Sequence, residues 1–68
     1  MVIELSSKDG FIITTILRAN QKEEALTAKE EFLKKFPPKN FNTEVVGEVE
    51  ETPQGYWEVT IKHQLLED

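Results

Sequence analysis

The chain has 68 residues, with 8 Lys plus Arg against 13 Asp plus Glu, giving a formal net charge of −5. This length holds one small domain, residues 1–68, and leaves no room for two. Three Gly and three Pro exclude a collagen-like or low-complexity chain. No apolar run approaches the roughly 20 residues a membrane helix needs. The opening Met1-Val2-Ile3-Glu4-Leu5 also lacks the basic region and long apolar stretch of a secretory signal. Without Cys there is no disulfide or thiolate metal site, and a single His excludes a His-rich metal cluster. A chain this short buries only about 60% of the surface its unfolded form exposes. With no covalent or metal staple, close packing or oligomerisation must supply the stability. An acidic, Cys-free chain with no targeting segment points to the cytoplasm.

Residues 2–7 alternate, with Ile3 and Leu5 on one side and Glu4 and Ser6 on the other, a period-two strand signal. Asp9-Gly10 reads as a tight turn, and residues 11–18 are rich in β-branched side chains, so the two segments form an antiparallel hairpin. Asn20 is placed to cap a helix, with Glu23 three residues on as in a capping box. Ala25, Leu26, Ala28, Phe32, Leu33 and Phe36 form its apolar stripe. Glu30 and Lys34, and Glu31 and Lys35, are i,i+4 pairs in the favourable order. Pro37-Pro38 ends the helix. Phe41 to Glu51 reads as a third strand, interrupted by Gly47, which suggests a bulge or a close backbone approach. Thr52-Pro53-Gln54-Gly55 is a turn, and Tyr56 to Leu65 is a fourth strand with the cleanest alternation of the chain.

The fold class is therefore α+β: a two-layer sandwich of order β-β-α-β-β, a four-stranded mostly antiparallel sheet with one helix on one face. The strand order stays open. The covered face should bury Ile3, Leu5, Val45, Val49, Trp57, Val59 and Ile61 against Leu26, Phe32, Leu33 and Phe36. The second strand is apolar on both sides, unlike a strand with one face in water. Val2, Ile12, Ile16, Val46 and Tyr56 should accordingly gather on the uncovered face, among Glu44, Glu48, Glu58 and Lys62. An apolar patch with a charged rim marks an interaction surface. The alternative is that a loop or the tail at Leu66 covers these residues.

Little in the chain suggests catalysis. His63 has no Cys, and no Ser near it in sequence, so it reads as a sheet-end histidine with a structural role. Glu44, Glu48, Glu50, Glu51 and Glu58 are spaced along strands, whereas cation sites converge several oxygens from loops; they read as a solvated acidic face. Lys34, Lys35 and Lys39 around Phe36 and Phe41, together with Lys62, resemble a basic–aromatic nucleic-acid surface, an alternative that the acidic total argues against. The glycines are isolated and form no phosphate-binding loop. The expected function is a non-enzymatic, cofactor-free protein-binding or regulatory module. Its partner would be another copy of itself or another protein, with Ile12, Ile16, Val46 and Tyr56 as apolar anchors and Glu44, Glu48 and Glu58 setting charge preference.

Overall fold

The computed structural model describes residues 1–64. Strands β1 (Val2–Asp9), β2 (Ile12–Ala19), β3 (Glu44–Glu51) and β4 (Trp57–Gln64) form one antiparallel sheet of order β1-β2-β4-β3. Helix α1 (Lys22–Lys35) and the short helix α2 (Pro38–Phe41) join β2 to β3. This is the two-layer α+β arrangement expected from the chain. β4 lies between β2 and β3, so the helical connection steps across one strand.

The first hairpin closes with Asp9 opposite Ile12, leaving Gly10-Phe11 as a two-residue loop. Gly10 takes φ 65°, the positive value that such a loop favours at its first position. In the second hairpin the Gly55 N–H donates to the Thr52 carbonyl at 2.9 Å, and the Thr52 N–H donates to the Tyr56 carbonyl at 2.7 Å. Pro53 presets one φ and Gly55 takes φ 90°, so this is a β-turn followed by a left-handed residue. Gly47, at φ 79°, sits in a bulge: Val46 pairs with Thr60 and Glu50 with Glu58, so residues 47–49 lie opposite Val59 alone. No atom approaches within 4 Å of the place a Gly47 Cβ would occupy, so backbone conformation and not crowding is what calls for glycine there.

Helix α1 starts one residue later than the cap signal suggests. Its N-cap is Gln21, in an extended conformation and without a side-chain capping bond, so the Asn20 capping box does not form. Glu23 and Glu24 in the first turn and Lys34 and Lys35 in the last complement the helix dipole. Pro37-Pro38 stops α1 and also begins α2, because a proline at the first helical position sacrifices only an N–H that would be unpaired anyway. Phe41 therefore closes a helical turn and does not open β3. Asn42, at φ 49°, ends that turn by donating its N–H to the Pro38 carbonyl at 2.9 Å. The Thr43 hydroxyl donates to the Phe36 carbonyl at 2.6 Å, tying the end of α1 to the start of β3.

The core lies between α1 and the middle of the sheet. Leu17, Val59, Ile61 and Phe32 are buried, with Ala28, Phe36, Val45 and Val49 packed against them. Ala25 is fully buried, whereas Leu26 points away and is 37% exposed. The stripe that meets the sheet is thus Ala25, Ala28, Phe32 and Phe36, and the two alanines let the helix come close. One expectation is reversed. Ile3 pairs with Arg18 and Leu5 with Ile16, on the face away from the helix, while Val2 pairs with buried Ala19 on the helix side. Every residue of β1 is exposed. Leu65 and Leu66 lie outside the described residues.

This core makes a quantitative distinction between two aliphatic residues expected on the covered side. Ile61→Ala should lower unfolding free energy by about 2–5 kcal/mol, since it opens a cavity at a fully buried site. Leu26→Ala should cost under about 1 kcal/mol in urea titrations of the same protein.

Candidate interaction surface on the open sheet face

Cross-strand pairing arranges the open face in rows. Leu5, Ile16, Thr60 and Val46 form one continuous row from edge to edge of the sheet. On one side of it runs Ile3, Arg18, Glu58 and Glu50, and on the other Ser7, Thr14, Lys62 and Glu44. Beyond Thr14, Ile12 sits between Asp9 and Gln64. An apolar band therefore crosses the sheet between two polar and charged rows. Leu5 and Val46 at its ends are each 43% exposed and Ile16 and Thr60 between them are half-buried, with exposed Ile3 and Ile12 beside it.

The charged row is partly self-satisfied. The Arg18 guanidinium pairs with the Glu58 carboxylate and lies 5.3 Å from the centre of the Tyr56 ring. Tyr56, just ahead of β4, is thereby held against the open face. Glu48 projects from the bulge beside a hollow of about 300 Å³, shared with Val46, Glu50 and Glu58. Of the residues proposed for this surface, Ile16, Val46, Glu44 and Glu58 share the open face; Ile12 and Tyr56 extend it and Glu48 borders it. Ile3 and Leu5 were missed, and Val2 does not belong. Strand periodicity carried the missing signal, because a two-residue hairpin loop puts odd-numbered residues of β1 opposite even-numbered residues of β2.

The lysines of the nucleic-acid alternative do not share a surface. Lys34 and Lys35 end α1 and Lys39 is in α2, whereas Lys62 is on the open face, on the other side of the sheet from α1. Lys35 also shares a groove beside α1 with Glu23, Glu24 and Glu31. Among the described residues, no three His, Asp or Glu side chains are grouped as metal ligands would be, and no helix is long and apolar enough to cross a membrane.

His63 is on the helix side, 4% exposed, and its Nδ1 has no hydrogen-bond partner among the described residues. Its ring stacks on Phe36 at 4.4 Å between centroids and meets Phe32 and Phe41 edge-on at 5.4 Å and 6.4 Å. Within this aromatic cluster, loss of hydration lowers its pKa below the ordinary histidine value. The ring belongs to the packing at the C-terminal end of α1. Among the described residues, no nucleophile or carboxylate pairs with Nδ1.

Compared with models of known families, with curated proteins and with solved structures, the chain matches none.

The buried imidazole gives a pH dependence of defined sign. The unfolded chain protonates His63 near pH 6.5, whereas the folded chain does so only at lower pH, so the unfolded state binds more protons in that window. Stability from this group is complete above about pH 6.5 and declines as pH falls toward the folded-state pKa. Urea midpoints should drop between about pH 7.5 and about pH 5.5 in the wild type and drop less in His63→Leu.

Proposed function

We propose that the protein is a small non-catalytic binding module of the cytoplasm, acting through its open sheet face, and that its partner on this face is a second copy of the chain. The observation that carries the reading is the edge-to-edge row Leu5, Ile16, Thr60 and Val46, with Ile3 and Ile12 beside it. Such a band suits the packing of one sheet on another about 10 Å away, with the two inner faces interdigitating. The flanking charged rows would lie toward the rim, where they remain hydrated and set orientation.

The economy of the core supports self-association. Among the described residues, buried hydrophobics number six: Leu17, Ala19, Ala25, Phe32, Val59 and Ile61. Nine large hydrophobics are exposed, including Ile3, Leu5, Ile12, Val46 and Tyr56. At about 25 cal/mol per Å², covering that band would add apolar burial to a domain whose own core is thin. The absence of cysteine removes the commonest alternative staple, and a Cys-free chain suits a reducing compartment. No observation favours the nucleic-acid reading, since the four lysines invoked for it are divided between the two sides of the sheet.

Sedimentation velocity across a concentration series tests this reading. The expected result is a dimer that dissociates on dilution and changes little with added salt. Ile16→Glu and Leu5→Glu should each shift the population to monomer with unchanged far-ultraviolet circular dichroism. Because Leu5 is already 43% exposed, its variant separates lost association from lost folding. A protein that stays monomeric at its highest attainable concentration overturns the reading.

A further inference from the structure

We propose that the free edge of β1, together with the groove between β1 and α1, takes up an extended basic segment of a partner protein as a fifth strand. This surface meets the apolar band only at Ile3 and Leu5, and the proposal does not rest on the dimer.

The two edges of the sheet differ. The β3 edge is broken by the Gly47 bulge and carries Glu44, Glu48, Glu50 and Glu51, all exposed, features that discourage pairing with another strand. The β1 edge has neither bulge nor proline. Its pairing with β2 is regular from Val2 opposite Ala19 to Asp9 opposite Ile12, and all eight of its residues are exposed. Alternate residues of such a strand direct unpaired N–H and C=O groups outward, ready to receive another backbone.

What lies beside that edge defines the chemistry of the incoming strand. A groove of about 530 Å³ opens between β1 and α1, with Leu17, Ala28 and Phe32 at its apolar base and Glu4, Glu23 and Glu31 among its walls. None of those three carboxylates has a salt-bridge partner among the described residues. Glu24, also at the groove, pairs with the Met1 ammonium at 2.8 Å, and Lys35 is the one cationic side chain lining it. Side chains alternate along an added strand. Those on the helix side enter this groove, where a Lys or Arg lays its aliphatic stem on the apolar base and its charge among the carboxylates. Those on the other side lie next to Ile3 and Leu5, which favours apolar residues there. Of β1 only Val2 and Glu4 line the groove, and Lys8 lies further along the same side, so the basic residues of the matching segment fall beside Val2 and Glu4 and alternate with apolar residues beside Ile3 and Leu5.

Charge separates this occupant from a second copy at the same edge. Antiparallel pairing of two β1 strands places both helices on one side of a continuous sheet and brings the two acidic grooves together. Glu4, Glu23 and Glu31 of one copy then lie close to the same carboxylates of the other, so this arrangement sets like charges against each other.

The test is titration of the ¹⁵N-labelled protein with a synthetic Lys-Val repeat matched to the eight residues of β1, read by amide shifts and calorimetry. Binding should shift β1 amides and those of the first turns of α1. Glu4→Lys combined with Glu31→Lys should weaken it at least about tenfold. A peptide of the same charge, N-methylated at alternate residues to block strand pairing, should bind at least about tenfold more weakly. Equal binding of the methylated peptide, no binding at all, or β1 amides protected by self-association without peptide would each overturn the proposal. Ile16→Glu should leave peptide binding intact, and the two glutamate variants should leave the sedimentation of the free protein intact, so the two readings fail independently.

Discussion

The structure is governed by how much sheet a single helix can cover. An α-helix with its side chains is about 10–12 Å across, and neighbouring strands are about 4.8 Å apart, so one helix shields about two strands and reaches onto a third. α1 lies over β2 and β4 and reaches Val45 and Val49 of β3. It leaves β1 at the margin on its own side and, among the described residues, the whole sheet bare on the other. The thin core, the exposed apolar row and the acidic groove along β1 all follow from that limit. A second helix in the place of a short connection would have removed all three.

The far end of α1 shows how the covered side is closed without a second helix. Phe32 and Phe36 leave the helix, Phe41 comes from α2 and His63 from β4, and their rings form one cluster. The Thr43 hydroxyl on the Phe36 carbonyl satisfies a helix-end acceptor at the same place. A histidine in this cluster fills space as an aromatic, but an imidazole nitrogen without a partner carries a desolvation cost that a phenylalanine would avoid. The end of α1 is therefore tied to the protonation of one side chain through burial.

Much of this was legible in the residues. Period-two alternation located four strands, and the polar, charged and proline signals bracketed α1. Gly10, Gly47 and Gly55 each marked a position of positive φ. The errors came where one residue type serves two structures. Pro37-Pro38 reads as a stop, and only the left-handed Asn42 and the Thr43 hydroxyl reveal that a second helical turn follows. Leu26 reads as core because it is the larger apolar residue, yet the sheet selects the adjacent Ala25, since close approach needs a small side chain there. Ile3 and Leu5 read as inward on hydrophobicity alone, although the parity of a two-residue loop places them opposite Arg18 and Ile16. Strand order was not legible: any edge of the first hairpin could accept β4, and only the packing of Val59 and Ile61 beside Leu17 selects it.

The difference between the two sheet edges gives the bare surfaces a direction. A small sheet with one naked apolar face and two naked edges invites indiscriminate stacking, and proteins restrain this with charge, bulges and irregularity. Here those devices are unevenly distributed. β3 has the bulge and a run of glutamates, while β1 is regular, with Ile3 and Leu5 toward the open face and Glu4 toward the groove. An edge left regular beside one protected so heavily is restrained only by the sign of its charge. Glu4, Glu23 and Glu31 beside it disfavour a second acidic groove and leave the same backbone groups open to a basic segment, so the carboxylates that oppose self-pairing at β1 also select what can pair there.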